Sequence, residues 1–263
     1  MEGILIAAAV VGGLGILIGL FLGISAEKFK VPVNEKEVLI RAELPGNNCG
    51  GCGYAGCDGL AKAIANGEAP VNGCPVGGDA AAANIAKIMG AEVGDSVKLA
   101  AFVKCAGDCD KANESFNYYG EKSCKVMPLV PSGGPKTCSY GCLGYGECKD
   151  VCDFGAIEIV NGIAKINQDK CKACGKCVAV CPRHLIELVP VTSPVRVQCN
   201  SNDKGVNVKK ACSVGCIGCM LCTKQCEFDA IKVENNLATI DYSKCTGCGK
   251  CAEKCPTKAI NLF

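Results

Sequence analysis

The sequence has no tryptophan, and only six tyrosines and seven phenylalanines among 263 residues. A large aromatic core is therefore excluded as the thing that holds it together. Its single histidine, His184, excludes the multi-histidine sites of zinc, copper and non-haem iron enzymes. Charge of either sign is not in excess: 28 Lys+Arg stand against 26 Asp+Glu, a net charge of +2. That balance argues against a nucleic-acid binder, which needs a basic surplus. No GxGxxG follows a strand and no phosphate loop is present, so neither flavin nor nucleotide is expected on this chain. What the sequence does have is 25 cysteines and 33 glycines. The cysteines are odd in number and tightly spaced in a long chain, which suits metal-bound thiolates better than a disulfide scaffold.

The N-terminus carries an uncharged run from Gly3 to Ile24. At ~1.5 Å per residue such a helix is long enough for a ~30 Å hydrocarbon layer, so a single transmembrane anchor over 1–26 is expected. A signal peptide would want a positive charge before the run, and only Glu2 is there; Lys28 and Lys30 follow it instead. By the positive-inside rule the rest of the chain would face the cytoplasm, giving a single-pass protein of the cell membrane. Gly15, Gly19 and Gly23 fall on one helix face, where a second membrane helix could approach.

Downstream, the sequence repeats itself. Cys148, Cys152, Cys171, Cys174, Cys177 and Cys181 recur 74 positions later as Cys222, Cys226, Cys245, Cys248, Cys251 and Cys255. Two β-prone runs lie inside each copy: Ala156–Val160 and Ile163–Ile166 around Asn161-Gly162, then Ala230–Val233 and Leu237–Ile240 around residues 234–236. Two copies of one small domain are expected. Cys171-x2-Cys174-x2-Cys177-x3-Cys181-Pro182 and Cys245-x2-Cys248-x2-Cys251-x3-Cys255-Pro256 are the bacterial ferredoxin run for [4Fe–4S] clusters, whose fourth cysteine ligates the other cluster of a pair. Four clusters follow. In the second copy Cys226, Cys245, Cys248 and Cys251 hold one, and Cys216, Cys219, Cys222 and Cys255 the other. In the first copy Cys152, Cys171, Cys174 and Cys177 hold one, and Cys138, Cys142, Cys148 and Cys181 the other. That last group departs from the pattern, with gaps of x3 and x5. A zinc ribbon also uses CxxC pairs, but it does not need three cysteines at x2, x2 followed by a Cys-Pro exchange.

A different constellation, Cys49-x2-Cys52-x4-Cys57-x16-Cys74, sits among glycines that let a backbone wrap an inorganic core, and a fifth [4Fe–4S] cluster is expected there. Five cysteines remain. A sixth cluster on Cys105, Cys124, Cys199 and Cys212 is the expectation, with Cys109 as a substitute for any one of them. Buried free thiols are the alternative.

The order of these parts is specific. An N-terminal apolar run, then LPGNNCGGCGYAGC with Cys74-Pro75, then GPKTCSYGCLGYGEC and two ferredoxin copies closely resembles the B subunit of the Rnf complexes, over essentially the whole chain. The resemblance implies an electron-transfer subunit of a membrane ferredoxin:NAD⁺ oxidoreductase that exports Na⁺ or H⁺. It implies reduced ferredoxin as donor and other membrane and peripheral subunits as partners, which carry flavin and NAD sites. No complete active site is expected on this chain alone, and no catalytic residue. Without the resemblance, a membrane-anchored polyferredoxin feeding another reductase or hydrogenase would read the same, and a structural zinc scaffold would be the alternative from another class. The fold class expected is α+β: an anchor (1–26), a linker (27–45), a Gly-rich cluster domain with a following α/β segment (46–127), a first ferredoxin module (136–190), an insertion (191–213) and a second module (214–263).

Overall fold

The computed structural model describes residues 2–29, 34–94 and 97–263. Helix α1, Glu2–Lys28, begins the chain. The membrane anchor expected here is not supported: among the described residues no helix is long and apolar enough to cross a membrane.

Three helices form the N-terminal core: α2 (Glu35–Glu43), α3 (Cys57–Ala65) and α4 (Gly78–Met89). Asn34 caps α2 by accepting from the amide of Lys36, and α4 ends at Gly90 in the left-handed conformation that glycine adopts freely. Asp79 falls in the first turn of α4, with Gly77 as N-cap. Ile40, Leu60, Ile64 and Ile85 are each at most 1% exposed. Helix α2 thus lies in the stretch expected to be a linker, yet its Ile40 is part of this core. Charge supports the packing at its rim, where Arg41 pairs with Asp58 at 2.6 Å.

The remaining chain is two ferredoxin-like units. Strands β2 (Ile157–Val160) and β3 (Ile163–Ile166) form one antiparallel hairpin. Asn161 and Gly162 both have positive φ, the turn that matches the twist of paired strands. Two further strands precede and follow these: β1 (Leu99–Val103) pairs antiparallel with β4 (Ile186–Pro190), Val103 opposite Ile186. The second unit repeats the plan with β6 (Ile231–Glu234) and β7 (Leu237–Ile240) as hairpin, closed by the two-residue turn Asn235-Asn236, and β5 (Val195–Val197) paired with β8 (Ile260–Leu262), Val197 opposite Ile260. Short helices follow the cysteine loops: α5 (Glu147–Asp150) and α6 (Lys176–Val180) in the first unit, then α7 (Gly205–Ala211), α8 (Leu221–Lys224) and α9 (Lys250–Glu253). Aliphatic side chains are few, and cysteines take their place in the two cores. Apolar burial of that extent is thin for units this small, so bound metal is expected to carry much of their stability.

Candidate iron–sulfur centres

Each ferredoxin unit folds its cysteine loops over a hairpin, which leaves cavities lined by sulfur. In the second unit one cavity of about 350 Å³ is lined by Cys226, Cys245, Cys248 and Cys251, and another of about 320 Å³ by Cys216, Cys219, Cys222 and Cys255. The thiol beside Pro256 therefore faces away from its sequence neighbours, as the spacing requires. In the first unit Cys152, Cys171, Cys174 and Cys177 line a cavity of about 340 Å³. Glycine makes these loops possible where backbones meet: a Cβ at Gly144 would lie 2.4 Å from the carbonyl oxygen of Gly162, and Gly218 stands in the same relation to Asn236 at 3.0 Å.

The structure exchanges two residues of the expected grouping. Cys142, Cys148 and Cys181 line a cavity of about 430 Å³ with Cys124, not with Cys138. Cys138 instead joins Cys105, Cys199 and Cys212 around a cavity of about 460 Å³. The repeat explains both moves. Subtracting 74 from Cys216, Cys219, Cys222 and Cys226 gives Cys142, Tyr145, Cys148 and Cys152. Tyr145 occupies the place of the second ligand, and Cys124, reaching in from the preceding loop, stands beside it. The same subtraction maps Cys212 onto Cys138. Cys105 and Cys199 are equivalent too, each two residues beyond the strand pairing that sets Val103 opposite Ile186 and Val197 opposite Ile260. The cavity between the units thus takes two matched thiols from each. Cys109, the expected substitute, is exposed and lines neither cavity.

At the N-terminal unit, Cys52, Cys57 and Cys74 pack at the foot of α3. Asn48 accepts from the amide of Cys57 at 2.8 Å, which fixes the start of the helix. Cys49 faces the first ferredoxin unit, close enough to bear on Cys174. A Cβ at Gly51 would come within 2.7 Å of the Cys174 carbonyl oxygen, so only glycine permits this loop to dock there.

The electrostatics suit a polycationic core. Burial, then the charges of Cys142, Cys181 and Cys177, push the Cys148 thiol up to about 12. Burial and the neighbouring thiols also push Cys177 up to about 12, while burial and the Glu147 carboxylate do the same for Cys124. Cys199 and Cys222 are each raised to about 11, chiefly by burial. Thiols so placed become thiolates only when a cation compensates them. Backbone amides already point at several sulfurs: Ala101 to Cys171 at 3.3 Å, Cys142 to Cys105 at 3.3 Å, and the repeat-related pair Ala156 to Cys152 at 3.4 Å and Ala230 to Cys226 at 3.3 Å. Such donors stabilise extra negative charge on a cluster and raise its potential. Among the described residues no three Cys, His, Asp or Glu side chains converge on a single-ion site. Thiols that ring a cavity without converging on one point fit a cubane better than one zinc ion with Zn–S bonds of about 2.3 Å.

Fold and cavities define an iron–sulfur protein of the ferredoxin class. Residues 44–76 match the family described as "Putative Fe-S cluster", and residues 164–187 and 238–261 each match the "4Fe-4S binding domain". Over 99% of its length the chain is 47% identical to the B subunit of the Na(+)-translocating ferredoxin:NAD(+) oxidoreductase complex of Acetobacterium woodii, covering 78% of that protein. It is 44% identical to the B subunit of the ion-translocating oxidoreductase complex of Methanosarcina acetivorans, each chain covered in full. A further relative at 44% identity, covering all of this chain and 94% of its own, is the B subunit of the proton-translocating ferredoxin:NAD(+) oxidoreductase complex of Clostridium ljungdahlii. The chain belongs to the B-subunit family of these ion-translocating oxidoreductase complexes, the Rnf complexes.

Proposed function

We propose that this chain is the electron wire of an Rnf-type complex: it takes electrons from reduced ferredoxin and relays them through [4Fe–4S] clusters to partner subunits that reduce NAD⁺ and export Na⁺ or H⁺. The observation that carries the proposal is the row of sulfur-lined cavities. They adjoin one another, with Cys49 beside Cys174, Cys148 beside Cys177, Cys142 beside Cys105, and Cys199 beside Cys216. Five ligand groups are the four of the ferredoxin units, with Cys124 completing Cys142, Cys148 and Cys181, and the Cys49, Cys52, Cys57, Cys74 group. The sixth is Cys105, Cys138, Cys199 and Cys212. A cluster supplies one-electron chemistry; the protein's part is to hold it, space it and set its charge environment.

The two ends of the row differ. Cys219 and Cys248 are exposed, so the second ferredoxin unit offers its centres to a soluble carrier. The Cys49 loop is the other end and faces the partner subunits. Sodium and proton both occur in the names of relatives, and the coupling ion is left at one or the other. The test is NAD⁺ reduction by reduced ferredoxin in the complex isolated anaerobically through this chain. Activity lost with Cys248→Ala in an intact assembly supports the wire. An intact wild-type complex that takes electrons from ferredoxin but never reduces NAD⁺ would point to a polyferredoxin serving another acceptor.

A further inference from the structure

Two cations, buried Lys136 and half-buried Arg183, lie between the two cavities at the middle of the row, and no carboxylate pairs with either among the described residues. Lys136 is 5% exposed, and its ammonium donates to the carbonyls of Gly107 at 2.9 Å and Gly162 at 3.2 Å. Gly107 is itself against sulfur: a Cβ there would lie 3.1 Å from Cys212 Sγ. Arg183 follows Cys181-Pro182 and donates to the carbonyls of Cys138 at 3.1 Å, Gly141 at 2.6 Å and Gly133. A Cβ at Gly141 would lie 3.6 Å from Cys138 Sγ and 3.7 Å from Cys105 Sγ. Each cation is thus one peptide away from the sulfurs of the cavity between the units. Arg183 also lines the adjoining cavity of Cys124, Cys142, Cys148 and Cys181.

Among the described residues, the cations nearest the outer cavities are paired, exposed or set back from them. The position that repeats Arg183 is Thr257, which lines the Cys216 cavity without charge. No cation lines the Cys245 cavity. Lys172 and Lys176 border the Cys171 cavity but lie toward solvent, Lys176 paired with Asp153 at 2.6 Å; solvent and salt weaken their reach. A third enclosed cation, Arg196, sits over the rings of Phe102 and Tyr242 and lines none of the five cavities; its charge reaches Cys245 of an outer one, but the Glu187 carboxylate acts on it as well. A buried ammonium satisfied only by carbonyls is costly unless negative charge lies nearby. Four thiolates on an iron–sulfur core supply such charge, and one-electron reduction adds to it.

We propose that Lys136 and Arg183 are internal counter-cations shared by the two central cavities, and that they make the clusters held there easier to reduce than those of the outer cavities. Their role is positioning of charge, not ligation. The proposal rests on the [4Fe–4S] occupancy put forward above. The field at the thiols points the same way: burial pushes Cys142, Cys138 and Cys212 up, while Lys136 opposes it at Cys142 and Cys212 and Arg183 at Cys138. Electrons entering the row would then rest in the middle before leaving.

The test is an EPR-monitored redox titration of the full chain, reconstituted anaerobically, with iron and labile sulfide counted first. The two highest-potential signals should disappear with Cys142→Ala and Cys212→Ala and survive Cys248→Ala. Lys136→Met and Arg183→Gln should lower the reduced-to-oxidised ratio of those two signals at least tenfold at fixed poise, a 59 mV shift for a one-electron couple. Lys136→Arg should leave them in place. Full iron with unmoved signals, or one shift common to all signals, overturns the proposal. So does a highest-potential signal that leaves with Cys248→Ala, and this assignment decides the matter even where a charge variant loses iron. A wild-type chain with no [4Fe–4S] signal from the central cysteines fails differently: it removes the occupancy itself.

Discussion

The exchange of Cys124 and Cys138 can be tested by counting clusters in paired variants. Single substitutions do not decide it, because either pairing costs one cluster. Pairs do. Cys124 and Cys142 line one cavity, whereas Cys212 lines the other with Cys138. At four irons per cubane, six clusters carry about 24 irons. Cys124→Ala with Cys142→Ala strikes one cavity twice and should leave about five intact clusters. Cys124→Ala with Cys212→Ala strikes two cavities and should leave about four. The order reverses if Cys124 belongs with Cys105, Cys199 and Cys212. Spin integration of the fully reduced chain, beside iron and sulfide analysis, reads the number directly. The repeat offers a second arm: Tyr145→Cys, placed where the second unit has Cys219, should restore the cluster lost in Cys124→Ala. Five clusters from the Cys124/Cys212 pair, or four from the Cys124/Cys142 pair, would refute the grouping.

Two further outcomes follow from the packing and the thiols. Gly51→Ala places a methyl 2.7 Å from the Cys174 carbonyl oxygen, a backbone contact that cannot swing aside. Overpacking of that kind costs about 1–3 kcal/mol, and it should show as faster hydrogen exchange at the Cys49 loop and as slowed electron transfer past it; unchanged exchange would mean the loop is not docked. The apo chain should lose stability as pH rises from 9 toward 12. Cys148 and Cys177 titrate near 12 in the fold, against an unperturbed 9.0, so above 9 the unfolded chain binds fewer protons than the folded one. Denaturant midpoints that stay level across that window would contradict the raised values.

Legibility followed range along the chain. The hairpins were plain because Asn161-Gly162 lies between its own two strands, and the cavities of Cys174 and Cys248 because three of the four cysteines around each lie within seven residues of one another. Cys124 was not, since it crosses from a separate loop to fill a gap that Tyr145 leaves. The 74-residue offset held that signal, and comparing Tyr145 with Cys219 would have exposed it. Over residues 25–45 the sequence left a linker with a short extended or helical stretch, because the apolar set Val38, Leu39 and Ile40 becomes a core contributor only through Ile40 against α3 and α4. The N-terminal run is a helix, but among the described residues no helix is long and apolar enough to cross a membrane.

The cavity between the units has one more property. Cys105 and Cys138 come from one copy of the fold, Cys199 and Cys212 from the other, and neither pair is a binding site by itself. Cut the chain between 190 and 195 and each fragment keeps its own complete ferredoxin centres but only half of this one. A cluster held there, as proposed, would need both copies docked and would be lost if they parted. The junction that locks the two halves together is also the bridge an electron would cross between them.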